Sequence, residues 1–234
     1  MKVLLLRLEA PLMAFGSVAI DNIGGTDQLP SASLLTGLLG NALGYKRSEG
    51  SRLQALQARL HYAVRADRPG HIMQDFQTAQ LAKDDKAWTT RGAPAGRDGG
   101  AKTYASPHIR YRQYHADASV TVAIHLEPES DPPTPSECAT ALNTPARPLF
   151  IGRKPCLPSE PLLLGLVEAD SLIDSLKQVP LSDTQESSKV WLYQQSDHND
   201  SADLIRLSGR RDWSNDVHQG NEYWQRSLWE IPSE

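Results

Sequence analysis

The strongest constraint on the fold is the stretch at residues 118–126, ASVTVAIHL. Val120, Val122, Ile124 and Leu126 alternate with Thr121, Ala123 and His125, which fits a strand and excludes a helix with one apolar stripe. Around it the other elements fall into order. Residues 2–8 read as a buried first strand, apolar except for Lys2 at its start and Arg7, and residues 13–30 as a long loop rich in Gly, Asn and Asp. A helix follows, with Pro30 and Ser31 or Ser33 as its start signal and Gly44 as its stop. Leu34, Leu35, Leu38, Leu39, Ala42 and Leu43 share one face of it. Gly37 and Gly40 inside that helix cost roughly 1 kcal/mol each against Ala, which makes sense if another part of the chain approaches closely there.

Residues 51–60 make a second short helix, with Leu53, Leu56 and Leu60 inward, and residues 61–66 a strand. A Pro-rich turn at 130–135 leads into a helix from Ser136 to about Leu142, and residues 162–169 supply a last apolar strand. The order is strand, helix, strand, long insertion, strand, helix, strand. That is an α+β chain in the βαββαβ order of ferredoxin-like, RNA-recognition-motif-like domains, expected over residues 1–169. The insertion, at about 77–115, lies between strands that pair as a hairpin, so it is expected to project as a β-hairpin thumb. From Asp170 on the pattern weakens, although Trp213, Trp224 and Trp229 point to a small C-terminal β subdomain over 170–234.

Composition matters most at the insertion. The chain has a net charge of −4, yet residues 91–115 carry five Lys/Arg against one Asp, with four Gly and three Tyr. Cations for phosphates, aromatics for bases and a glycine-rich tip at 92–100 suit single-stranded nucleic acid. A solvated surface loop is the other reading that composition leaves open. The acidic balance elsewhere excludes a protein coated with nucleic acid over its whole surface. Cys138 and Cys156 lack CxxC spacing and suit a reduced compartment. The first apolar run is too short for a signal peptide, and no stretch approaches the roughly 20 apolar residues of a membrane helix. The expectation is a cytoplasmic protein with no membrane contact.

The central strands lack the aromatics with which an RNA-recognition sheet stacks bases, so the arm is the better candidate. Lys102, Arg110 and Arg112 are placed to hold phosphates, and Tyr104, Tyr111 and Tyr114 to stack. In a strand, Arg110 and Arg112 share one face while Ile109, Tyr111 and Gln113 share the other. A second candidate is Gly152-Arg153-Lys154, where glycine admits a phosphate close to the backbone and two cations neutralise it; an ordinary turn with solvated charges explains it equally well. Arg206, Arg210 and Arg211 form a third, less specific cluster. His198 sits in a polar stretch and reads as solvated. No GxSxG, P-loop or HExxH occurs, and no cofactor or metal is expected. The one catalytic possibility is Lys102, Tyr104 and His108 acting together in metal-free RNA cleavage.

Four segments carry a family resemblance: LLLRLEAPLMAFGS at 4–17, LPSASLLTGLLGNALGYKR at 29–47, YRQYHADASVTVAIHL at 111–126 and RPLFIGRKPCLPSEPLLLG at 147–165. In this order and spacing the chain resembles the CasD family of type I-E CRISPR Cascade, the antiviral surveillance complex. The resemblance implies a modified RNA-recognition fold with a thumb, and capping of the 5′ handle of the guide CRISPR RNA. It also implies backbone, large and endoribonuclease subunits as partners, with target DNA reached only through the complex. Type I-C relatives process their own CRISPR RNA. The closer likeness to type I-E makes Lys102, Tyr104 and His108 binding residues and not catalytic ones, beside the binding candidates Arg110, Tyr111, Arg112, Tyr114, Gly152, Arg153 and Lys154, and implies that the protein is no enzyme. The glycine-rich tip departs from the family pattern in length.

Overall fold

The computed structural model describes residues 1–80, 107–181, 189–196 and 204–231. β1 (Lys2–Met13) leads through a loop carrying the short β2 (Ile23–Gly24) to helices α1 (Ala32–Ala42) and α2 (Gly50–Ala58). β3 (Leu60–Arg68) turns directly into β4 (His71–Ala79), and β5 (His108–Leu126) runs back. α3 (Pro135–Asn143), β6 (Leu163–Glu168) and α4 (Leu172–Gln178) come next. β7 (Lys189–Gln195), β8 (Leu204–Leu207), β9 (Arg211–Asp212), β10 (Val217–His218) and β11 (Glu222–Glu230) complete the chain.

One large sheet holds the strands together in the order β6-β1-β5-β3-β7-β11-β8, with β2 and β4 joined to β5 off that path. Every neighbour on the path is antiparallel. Leu4, Leu6 and Leu8 of β1 stand opposite Ile124, Val122 and Val120 of β5, and Tyr62 and Val64 of β3 flank the same residues from the other side. Period-two alternation sends all of these to one face, where they bury against Leu35, Leu39, Leu56, Cys138 and Leu142 of α1, α2 and α3. Each such Leu or Val contributes about 1.5–3 kcal/mol by leaving water.

The intervening residues Val3, Leu5, Ala63, Ala123 and Leu192 reach the other face, which α4 covers with Leu176 and the following Val179. Burial on both faces explains why β1 is apolar nearly without alternation. Arg65 stands on this second face, fully buried, with Nε 2.5 Å from Asp67 Oδ1. Its Nη1 donates to the Leu176 and Val179 carbonyls, and Arg7 Nη2 donates to the Pro180 carbonyl at 2.6 Å. The chain leaving α4 thus finds donors for carbonyls that a helix end leaves without partners.

α1 begins at Ser31, whose hydroxyl accepts from the Leu34 N–H. The close approach expected along it is made at Gly40, where a Cβ would lie 2.6 Å from the Leu53 side chain of α2. α3 carries a capping box between Thr134 and Glu137. α4 was not foreseen from the sequence. β7, β11 and β8, from the region expected to form a small C-terminal β subdomain, continue the main sheet beyond β3, and Trp224 is buried in the main core, its ring centroid 4.7 Å from that of Tyr62. Among the described residues only β9 and β10 pair as a sheet apart.

β5 is longer than the strand expected at 118–126. Its second half lies between β1 and β3, and its first half pairs with β4 as a two-stranded arm. The junction is irregular: Asp117 has φ +54°, and the β3–β5 register shifts between Ala66 and Arg68. Arg68 pins it by donating to the Asp117 carbonyl at 2.8 Å and pairing with Glu9 at 3.2 Å. Gly70, at φ +62°, turns β3 into β4 where any Cβ would lie 2.3 Å from the Ala116 carbonyl oxygen.

Candidate nucleic-acid interface

The arm is a ribbon whose two faces differ chemically. The β4–β5 register pairs Asp75 with Arg112, Gln77 with Arg110 and Ala79 with His108 on one face. Ile72 with His115, Gln74 with Gln113, Phe76 with Tyr111 and Thr78 with Ile109 make up the other. The spacing argument therefore holds: Arg110 and Arg112 project together. His108 and Arg110 are exposed, and Arg112 is half-buried at the arm's root. Tyr111 belongs to the opposite face, where its ring lies 5.5 Å from that of Phe76, so it does not stack beside the cations. Lys102, Tyr104 and the glycine-rich tip at 92–100 lie outside the described residues, as does His198.

Burial and bonding bear on three further expectations. Tyr114 is only 3% exposed and packs into the core, because β5 has already entered the sheet there, and it offers no face to a base. Arg153 is bonded inward: Nη1 donates to the Gln113 carbonyl at 2.7 Å, and Nη2 to the Gly24 and Gly25 carbonyls at 2.9 and 3.0 Å. Its guanidinium lies 4.7 Å from the Tyr114 ring centroid, so it clasps the arm's root instead of standing free for phosphate. Gly152 has φ +86°, and a Cβ there would fall 1.7 Å from the Ala14 carbonyl oxygen. The glycine is required by that contact with the protein's own backbone, and no approach of phosphate is needed to explain it. Lys154 remains exposed.

A groove of about 610 Å³ lies over the exposed side of α1, and no stretch of residues marks it as a unit. Lys46, Arg47, Arg147 and Arg211 supply its charge, and Tyr45, Phe150 and Trp213 its aromatic surface. No Asp or Glu lines it, although Asp216 pairs with Arg47 and, at 3.0 Å, with Arg211. Arg147 donates to the Gly44 and Tyr45 carbonyls at 2.7 and 2.9 Å, holding the chain where it leaves α1. The cations come from three distant segments, which is why no local pattern announced the groove; only the adjacent Lys46 and Arg47 gave a signal. Gly152 lines the groove, and next to it Arg153 meets the arm, for a Cβ on Gly24 would lie 3.2 Å from Arg112 Nη1 and 3.3 Å from Arg153 Nη2. Arg110 and Arg112 therefore lie on one path with the groove, joined to it through the inward-bonded Arg153.

Titratable groups nearby are held away from reactivity. Burial pushes the Cys138 thiol up to about 12 and raises that of Cys156, so neither supplies a thiolate nucleophile near neutral pH. Burial also lowers the pKa of His115, whose Nε2 lies 2.8 Å from the Asp27 carbonyl oxygen. Among the described residues no three His, Cys, Asp or Glu side chains gather to hold a metal. None of the described helices is long and apolar enough to cross a membrane.

The family described as CRISPR-associated protein (Cas_Cas5) matches residues 3–221, nearly the whole chain. The chain belongs to that family. A relative in Escherichia coli (strain K12), named CRISPR system Cascade subunit CasD, is 34% identical over 166 residues, which is 71% of each protein. A solved structure titled CRISPR RNA-guided surveillance complex contains a chain 27% identical, with a TM-score of 0.72, matched over 99% of this chain and 91% of its own. A crystal structure of a Cas protein shares the fold at a TM-score of 0.62 and 24% identity, over 98% of this chain and 95% of its own. Mixed α/β architecture around a large antiparallel sheet is thus common to the family, and the likeness to CasD expected from residues 4–17, 29–47, 111–126 and 147–165 stands.

Proposed function

We propose that this Cas5-family protein is a non-catalytic CRISPR RNA-binding subunit of Cascade, capping the 5′ handle of the guide RNA in antiviral DNA interference in the cytoplasm. One observation carries the reading: the exposed Arg110 and half-buried Arg112 on one face of the arm lie on a path that passes Gly24 and the inward-bonded Arg153 to the basic groove over α1. A track of this kind neutralises successive phosphates, and Tyr45 and Trp213 line the groove as partly buried rings against Arg52 and Arg211. The β6-β1-β5-β3 centre, with α1, α2 and α3 packed on one face, is read as ferredoxin-like, with the β4–β5 arm as its thumb. The backbone, large and endoribonuclease subunits are its proposed protein partners.

Binding without cleavage is favoured by the likeness to the Cascade subunit named CasD. Ultraviolet crosslinking of the guide RNA in the assembled complex tests the site. Crosslinks from the handle to residues 107–112 and 45–47 are expected; a handle that crosslinks to other subunits alone would contradict the reading. Repeat RNA incubated with the purified protein in EDTA should stay intact. Specific cleavage that His108→Ala abolishes would make the protein an endoribonuclease instead.

A further inference from the structure

The groove over α1 is basic by composition, yet three of its four cations are already engaged. Arg147 serves the carbonyls of Gly44 and Tyr45. Arg47, from the connection between α1 and α2, and Arg211, from β9, converge on a single carboxylate, that of Asp216. Arg47 donates to Asp216 Oδ2 from both Nη2 and, at 3.0 Å, Nε, while Arg211 Nη2 donates to Oδ1 at 3.0 Å. Each oxygen thus takes one guanidinium, as two oxygens of a phosphate do when they bridge a pair of arginines. Arg211 Nε, on the same edge of its guanidinium as Nη2, is left without an acceptor.

The carboxylate can leave while the arginines stay. Asp216 lies in the turn between β9 and β10, at φ +61°, and its side chain is 36% exposed. The base of that hairpin is fixed to α2 by other bonds. Gln57 donates to the Arg211 carbonyl at 2.8 Å and accepts from the Arg211 N–H and the Trp213 indole N–H, both at 3.2 Å. Exposed ion pairs are weak, so Asp216 is displaceable. A carboxylate on the same chain nevertheless competes at an effective concentration of about millimolar, which a lone phosphate ion in the cell barely matches. A strand whose neighbouring phosphates already lie on Lys46 or the arm brings its own phosphate at a comparable local concentration. We propose that Arg47 and Arg211 form a phosphodiester site which Asp216 occupies in the free protein, and that a bound strand takes the site by replacing the carboxylate. The site then answers to a connected polyanion and not to single anions. The proposal rests on the groove's place in the RNA track and adds its regulation.

The test compares Asp216→Asn, Arg47→Ala and the double variant in the full-length chain. Fluorescence anisotropy with a 5′-handle RNA at about 0.15 M salt reads affinity, and thermal melting checks folding. Asn tolerates the left-handed φ at this position, so the turn is kept. Asp216→Asn should tighten RNA binding about fivefold, the sum of two exposed ion pairs that no longer oppose it, while its melting temperature stays level or falls. The gain should vanish when Arg47→Ala is added, because the carboxylate has then lost a partner to compete for. A gain of the same size in the double variant would be a general effect of charge and would overturn the proposal. Unchanged or weaker binding by Asp216→Asn would make the carboxylate a mere fastener of the hairpin and would overturn it as well. In that event Arg47→Ala separates the two readings: weakened binding leaves the groove in the RNA track, and unchanged binding removes it.

Discussion

Arg153 donates from Nη1 to the carbonyl of Gln113 at 2.7 Å, and this bond ties the turn after α3 to the strand that forms the arm. The same guanidinium holds Gly24 and Gly25 of the β2 loop. A planar fork satisfies three carbonyls where an ammonium would satisfy fewer. Arg153→Ala should therefore destabilise the protein by about 2–4 kcal/mol, somewhat more than the roughly 1.5–3 kcal/mol of one charge-assisted bond, because at this half-buried position water replaces part of the donors that the three carbonyls lose. Arg153→Lys should recover only part of it. Urea unfolding measures both, and a neutral Arg153→Ala would show the clasp to be idle.

Gly152→Ala tests the neighbouring turn. The left-handed φ of +86° disfavours any side chain, and the Ala14 carbonyl occupies the Cβ position. The expected loss is at least about 2 kcal/mol from conformation and overlap together. A melting temperature equal to wild type would mean that the turn rearranges freely.

On the face under α4, Asp67 balances the buried charge of Arg65 and also accepts from the Thr121 hydroxyl. Asp67→Ala leaves a guanidinium buried with carbonyl partners only. Removing one member of such a pair costs about 3–5 kcal/mol. Calorimetry should find that loss, together with protease sensitivity near residues 172–181; a change below about 1 kcal/mol would contradict the assignment.

His115 makes stability depend on pH. Burial lowers its pKa below the ordinary 6.5, so between its depressed value and 6.5 the unfolded chain binds more protons than the folded one. Its contribution to stability is complete above about 6.5 and is lost as the pH falls through that window. The drop in melting temperature from pH 7.5 to 5.5 should be smaller in His115→Gln than in wild type. An equal drop would place the titration elsewhere.

Much of the fold could be read from residue order alone. Alternation in Val120–Val122–Ile124 and the unbroken run in β1 identify the centre of the sheet, because burial on one face or two leaves distinct patterns. β4 escaped notice because both faces of the arm lie outside the core, so HIMQDFQTA shows no burial period. α4 has seven residues, too few for a stripe, and its chief anchors, Arg7 and Arg65, sit in strands far away. At the site, the pairing of Arg110 with Arg112 was legible from alternation. The burial of Tyr114 was not, since nothing local marks where β5 passes from arm to sheet. The groove escaped for the same reason of distance, with Lys46, Arg147 and Arg211 brought together only by folding.

The salt dependence of handle-RNA binding tests the basic track most directly. Affinity should fall with salt along a log–log line, and Arg110→Ala and Arg112→Ala should each flatten its slope by about 0.7, the value of one phosphate contact on a single strand. The double variant should flatten it by about twice as much. Unchanged affinity and slope in both single variants would contradict the account.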